Sequence, residues 1–112
     1  MTYKELFQFA TINFDYKIFH GRILGVSYHT SAEIKIKDAV QEMALLSKWL
    51  RDKHNINVIV EVDKTSYLKY AYKIIKYVDI ANFETILSPN LYRTFEEAQL
   101  EGLYLALKQI KK

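Results

Sequence analysis

The stretch Leu46-Ser-Lys-Trp-Leu-Arg-Asp-Lys-His-Asn-Ile-Asn-Val58 contains the end of a helix, a helix stop and the start of a new element. Three basic residues come just before the stop, at Arg51, Lys53 and His54. Cations are favoured there because the helix dipole is negative at its C-terminal end. Asn55 tolerates the left-handed backbone conformation that commonly ends a helix. The stretch therefore predicts a helix that stops at a defined residue.

A strand is predicted over residues 56–62, immediately after the stop. Apolar and polar side chains alternate there, with Ile56, Val58, Val60 and Val62 set against Asn57 and Glu61. Successive side chains of a strand point to opposite faces, so this alternation predicts a half-buried strand.

Before the stop, a helix is predicted from about Asp38 to Lys53. Asp38 can cap it, and Gln41 follows three residues later, as in a capping box. The apolar stripe has helical spacing and consists of Val40, Met43, Ala44, Leu46, Ser47, Trp49 and Leu50. This pattern predicts a helix with one buried face.

The last helix has the clearest signals at both ends. Thr94 and Glu97 form a Thr-x-x-Glu capping box, and lysines close the helix. The predicted buried stripe is Phe95, Ala98, Gly102, Leu103, Ala106 and Ile110. Gly102 costs about 1 kcal/mol relative to alanine inside a helix. Its place on the buried stripe therefore predicts a close approach to a neighbouring element.

Residues 66–78 fit either a strand or a helix by their spacing. Their density of tyrosine and isoleucine favours the strand. Another short strand is predicted over Phe83 to Leu87, followed by a turn at Ser88-Pro89-Asn90. Near the N-terminus, residues 3–9 are expected to be a short helix or irregular. Residues 11–19 and 24–28 are predicted to form a β-hairpin around His20-Gly21.

The predicted fold is therefore α+β, in the order β-β-α-β-β-(β)-α. Both main helices are expected to cover one face of an antiparallel sheet, which gives two layers. The 112 residues fit a single domain. No linker or repeat divides them.

Composition excludes several classes of protein. Cysteine is absent, so there is no disulfide framework, thiol nucleophile or thiolate metal site, as is usual in a reducing cytoplasm. No apolar run reaches the ~20 residues that span a bilayer, and the first residues lack the pattern of a signal peptide. A cytoplasmic protein without a membrane segment is expected. The net charge of +3 is a mild excess that permits an acidic partner without requiring one.

Catalytic and metal-binding patterns are missing. His20, His29 and His54 have no metal-ligand spacing. The acids Glu96, Glu97 and Glu101 suit the start and the solvated face of the last helix. No serine has nucleophile-elbow context, and the three glycines are too far apart for a phosphate loop. We expect no enzymatic activity, no cofactor and no metal.

One segment has the composition of a binding surface. It mixes cations with aromatic rings and consists of Lys64, Tyr67, Lys69, Tyr70, Tyr72, Lys73, Lys76 and Tyr77. Such a mixture suits single-stranded nucleic acid, because rings stack on bases and lysines meet phosphates. It also suits a protein interface. A third interpretation is a solvated strand face whose lysines protect an edge.

The helix–strand–strand–helix half resembles the double-stranded-RNA-binding fold in topology. That resemblance implies lysines at the start of the last helix that grip phosphates. This chain has Thr94-Phe-Glu-Glu-Ala98 at that position. Two acids there would repel phosphate, so this binding mode is not expected.

A closer resemblance joins LLSKWLRDKHNINV (45–58) with YRTFEEAQLEGLYLAL (92–107). Both segments resemble small uncharacterised proteins of Bacteroidetes genomes, prophages and phages, across residues 45–110. The matching positions are Trp49, Leu50, Arg51, His54, Asn55, Ile56, Thr94, Phe95, Glu96, Glu97, Ala98, Gly102 and Leu103. The resemblance implies a mobile-element setting and no catalytic residues.

The sequence therefore favours a non-enzymatic phage or mobile-element accessory protein that binds a host macromolecule. Its most concrete form is an anti-defence inhibitor, similar to an anti-CRISPR protein, that blocks a host CRISPR or other defence nuclease. The alternative is an RNA-binding module that uses the lysine–tyrosine segment. An exposed edge strand would also permit a homodimer by sheet extension.

Overall fold

The computed structural model describes residues 1–20, 36–63 and 69–110. Within these ranges the elements are α1 (Tyr3–Asn13), α2 (Ile36–His54), β1 (Ile56–Val62), β2 (Tyr70–Tyr77), β3 (Phe83–Leu87) and α3 (Phe95–Lys108). The strands form an antiparallel sheet in the order β1-β2-β3. The helices α2 and α3 pack against the sheet and each other, and α1 packs on α3. This arrangement confirms the predicted α+β class.

The register of the sheet separates its side chains into two faces. Ile74 of β2 lies opposite Val58 of β1 and Ile86 of β3, and all three pack in or against the core. We call this side the inner face. Lys73 lies between Ile59 and Leu87 on the other side, which we call the outer face.

The closest contact between the layers is at Gly102 of α3. A β-carbon at this position would lie 3.0 Å from Tyr72 Cγ and 3.0 Å from Val58 Cγ1. Only a residue without a side chain lets α3 come this near to the sheet. The predicted close approach at Gly102 is confirmed.

Most of the central predictions are confirmed. The strand at 56–62 has the predicted bounds, and β3 covers Phe83–Leu87. Within the predicted segment 66–78, residues 70–77 are a strand rather than a helix, and residues 66–68 lie outside the described residues. Asn55 has a φ of 55°, the left-handed conformation that separates α2 from β1.

The predicted N-terminal hairpin is wrong in its first strand, residues 11–19. The chain forms a helix through Asn13 instead, with a complete capping box between Thr2 and Glu5. The alternation over 11–19 competes with a helical stripe of Leu6, Phe7 and Ala10, which are fully buried. The box and the stripe together extend the helix into the predicted strand. The second strand, 24–28, lies outside the described residues.

The start and the buried face of α2 also differ from the prediction. The helix begins at Ile36, so Asp38 lies within its first turn and does not cap it. The buried positions are Ala39, Glu42, Met43, Leu46 and Leu50, whereas Val40 and Ala44 are exposed. The predicted stripe shares Met43, Leu46 and Leu50 with the buried face and lacks Ala39 and Glu42.

The start of α3 agrees with the prediction in part. Thr94 is the N-cap, and its hydroxyl accepts from the backbone N–H of Glu97 at 3.1 Å. Phe95 is 43% exposed and does not join the buried stripe. Among the described residues, no helix combines the length and apolarity needed to cross a bilayer.

Candidate functional site

The predicted lysine–tyrosine segment does not form one surface. Lys64 and Tyr67 lie outside the described residues. Of the other six, Tyr70, Tyr72 and Lys76 belong to the inner face by register, and Lys73 and Tyr77 belong to the outer face. Lys69 is exposed immediately before β2.

Tyr72 belongs to the core. Only 5% of it is exposed, and its ring stacks on that of Tyr92 with the centroids 6.0 Å apart. Burial raises the pKa of Tyr72 to about 12, and the neighbouring Tyr92 and Glu101 contribute to the increase. A partner could not reach this ring without displacing α3. Tyr72 is therefore not a contact residue of the exposed, outer face.

Lys76 is also directed away from the outer face. Its ammonium group donates to the backbone carbonyl of Gln109, just after α3, at 3.2 Å. This lysine therefore joins the sheet to the end of α3, on the helix side of the sheet.

The outer face carries a group of apolar and aromatic side chains. Phe83 is 62% exposed, Leu87 is 67% exposed, and Ile59 and Ile75 are half-buried. The group consists of Ile59, Ile75, Tyr77, Phe83 and Leu87, on three strands. Ile59 and Ile75 do not pack against the core cluster, although their inner-face neighbours do. An apolar patch left outside the core is typical of an interaction surface.

The turn between β2 and β3 fixes one corner of this face. The carboxylate of Asp79 accepts from the backbone N–H groups of Ala81 at 2.8 Å and Asn82 at 2.9 Å. The side-chain amide of Asn82, which donates to Oδ2 of Asp79 at 2.8 Å, and these backbone hydrogen bonds lower the pKa of Asp79. The turn places Tyr77 opposite Phe83, with the ring centroids 6.2 Å apart.

The charges on the outer face are close to balanced. Lys73 Nζ lies 3.5 Å from Oε1 of Glu61, and both side chains remain partly exposed. An exposed ion pair of this kind contributes little to stability. It does lower the net positive charge that the surface would offer to a phosphate.

A buried polar site, which the sequence patterns did not indicate, is centred on Glu42 of α2. Glu42 is fully buried, and the hydroxyl of Tyr16 donates to its Oε2. Its Oε1 accepts from the backbone N–H groups of Phe19 at 3.0 Å and His20 at 2.7 Å, and from His20 Nδ1 at 3.0 Å. Burial and the bond to Glu42 raise the pKa of Tyr16 well above its ordinary range.

This Glu42 cluster binds the segment after α1 to the face of α2. Every buried polar side-chain atom among the described residues has a partner, so the cluster is satisfied. One signal in the sequence could have indicated this site: Glu42 has apolar neighbours at helical spacing, which is unusual for a surface glutamate. No group of three or more potential metal ligands occurs in the described ranges.

Comparison with protein-family models, with curated proteins and with solved structures finds no match to this chain. The resemblance to phage and prophage proteins stays a prediction.

Proposed function

We propose that this chain is a non-enzymatic accessory protein of a phage or other mobile element, which binds a host protein through the outer face of its sheet. The observation that carries the proposal is the exposed group of Phe83, Leu87 and Tyr77 on a three-stranded sheet. Aromatic and aliphatic side chains at the centre of an interface supply most of its binding energy once they are desolvated.

A protein partner suits the outer face better than RNA does. Nucleic-acid affinity comes mainly from lysines and arginines that replace counterions on phosphates. On this face Lys73 is paired with Glu61, and the lysine-rich segment contributes Lys76 to the other side. A flat apolar centre with an ion pair beside it has the composition of a protein interface.

The partner that we propose is a defence nuclease, in the manner of an anti-CRISPR protein. This step rests on the resemblance of residues 45–58 and 92–107 to phage and prophage proteins. Steric inhibition needs a rigid surface and no reactive group. The Glu42 cluster has the character of a structural anchor, because its hydrogen bonds join two parts of the chain.

The functional test is protection of a phage in a Bacteroidetes host with active nuclease-based immunity. Expression of the chain should raise the efficiency of plating, and Phe83→Glu or Leu87→Glu should abolish the increase. Ile12→Glu is the matched control, because Ile12 is 77% exposed on α1, away from the sheet. Protection that survives both outer-face substitutions would contradict the proposal.

A second copy of the chain is the competing occupant of the outer face. Light scattering on the purified protein distinguishes self-association from binding of a host partner. A monomer supports a host partner. A dimer that Phe83→Glu converts to a monomer would assign the face to self-association and overturn the proposal.

A further inference from the structure

A basic groove lies on the helix side of the sheet, on the opposite side from the outer face. Both α2 and α3 end there, beside the last residues of β2. The groove has a volume of about 800 Å³ and an open, polar lining. Its charged and titratable lining residues are Lys53, His54, Lys76, Glu84 and Lys108.

The charges in the groove are predominantly positive. Within the described ranges, Lys53, Lys76 and Lys108 form no ion pair with a carboxylate. Glu84 is the only acid among the described residues of the lining, and it lies opposite Lys76 in the register of β2 and β3. The C-terminal ends of the two helices supply about half a negative charge each. The positive charge of the three lysines is larger than the negative charge of Glu84 and the two helix ends together.

Stabilisation of the helix ends accounts for only part of this arrangement. Lys53 and Lys108 lie in the last turns of α2 and α3, where cations offset the helix dipole. Lys76 lies on a strand, and its ammonium group reaches across to the Gln109 carbonyl. Lys76 therefore also stabilises the end of α3, but the charge of the three lysines together exceeds that of the two helix ends and Glu84.

His54 lies in the lining of the groove, next to Lys53. Burial, followed by the charge of Lys53, lowers the pKa of His54 below its ordinary value of 6.5. The ring of Trp49 packs edge-on against it at 4.8 Å. A bound anion would favour the imidazolium form and raise this pKa.

We propose that this groove binds the phosphodiester backbone of single-stranded nucleic acid, with Lys53, Lys76 and Lys108 as the phosphate contacts. The groove is open and has a volume of about 800 Å³, and its lysines come from three different elements. The contacts are to the backbone, so binding is independent of base sequence. This site is separate from the outer face, and its existence does not depend on the proposed inhibitor function.

The direct test is fluorescence anisotropy with labelled oligouridine over a series of salt concentrations. Three phosphate contacts on a single strand predict a slope of log Kobs against log salt of about −2. Each of Lys53→Gln, Lys76→Gln and Lys108→Gln should weaken binding and reduce the magnitude of the slope by about 0.7.

The matched control is Lys69→Gln, which removes the same charge at the other end of β2, about 20 Å away at the usual strand rise. It should leave both affinity and slope unchanged. No binding at low salt would overturn the proposal. It would also be overturned if Lys69→Gln and Lys73→Gln weakened binding while the groove variants did not, because the contacts would then lie at the start of β2.

A second readout follows His54 by NMR in the folded protein. Saturating oligouridine should raise the pKa of His54, and inorganic phosphate at the same phosphate concentration should have a smaller effect. An equal effect of inorganic phosphate would identify a small-anion site and overturn the backbone proposal. Variants of Phe83 and Leu87 should not alter this titration, so failure of the proposed function would be distinguishable.

Discussion

At the scale of single residues, Glu42 makes the most consequential contacts. A carboxylate without solvent contact is stable only when hydrogen bonds replace its water. Here Tyr16 and the backbone of Phe19 and His20 supply them. The same bonds position the residues that follow α1, so one side chain fixes the path of the chain there.

Replacement of Glu42 should therefore be costly. Glu42→Ala leaves the Tyr16 hydroxyl and two backbone N–H groups without their acceptor, and we expect a loss of about 3–5 kcal/mol in the free energy of unfolding. Glu42→Gln keeps the shape and should lose about 1–3 kcal/mol. Denaturant unfolding measures both, with exposed Gln41→Ala as a control expected to change stability by less than about 0.5 kcal/mol. A Glu42→Ala protein as stable as that control would contradict the assigned role.

The buried tyrosines predict a loss of stability at high pH. The pKa of Tyr72 is about 12 in the folded chain, against 10.0 for an ordinary tyrosine, and the pKa of Tyr16 is also raised. Between these values the unfolded chain releases protons that the folded chain retains. The free energy of unfolding should therefore be insensitive to these groups below pH 10 and should fall as the pH rises above it.

The pH dependence of stability measures this effect. Tyr72→Phe removes the ionisable group and keeps the ring, so its stability should fall less steeply above pH 10 than that of the unmodified chain. Tyr77→Phe is the control for the loss of a tyrosine hydroxyl at an exposed position. Equal slopes for the Tyr72→Phe variant and the unmodified chain would contradict the burial of Tyr72.

At the scale of elements, the contact between α3 and the sheet depends on Gly102. Alanine there gains about 1 kcal/mol of helix propensity. Its β-carbon would meet Val58 and the ring of Tyr72 at 3.0 Å, and overpacking of this kind usually costs about 1–3 kcal/mol. We expect Gly102→Ala to destabilise the chain by about 1 kcal/mol, measured by denaturant unfolding. Gln99→Ala on the same helix is the control, and a stabilised Gly102→Ala protein would contradict the packing.

Elements with local signals were predictable from the sequence. Asn55, the alternation over 56–62 and the Thr94 cap each act within a few residues, and the structure has all three. The N-terminal helix has a local signal of the same kind, the Thr2–Glu5 capping box, and this signal outweighs the alternation that predicted a strand from residue 11.

The candidate surface was also predictable only in part. The two-residue period of a strand is enough to place Tyr72 and Lys73 on opposite faces of the sheet. Both faces carry apolar residues, so only the packing of α3 decides which face is covered. Glu42 was missed for a related reason, because its burial depends on distant donors at Tyr16, Phe19 and His20.

At the scale of the whole molecule, the two layers leave two surfaces of different chemistry. The outer face is apolar and nearly balanced in charge, whereas the groove between the helix ends is basic. They lie on opposite sides of the sheet, so one molecule could contact a protein and a nucleic-acid strand together. A nuclease that carries a nucleic-acid strand presents both kinds of partner.

The measurement that tests the central claim most directly is the affinity of the purified chain, after RNase treatment, for the nuclease of the immune system used in the plating assay. We expect Phe83→Glu or Leu87→Glu to weaken binding at least about 30-fold, as truncation of an interface hot spot does. The Ile12→Glu control should bind like the unmodified chain. Equal affinities for all four proteins would contradict the assignment of the outer face as the binding surface.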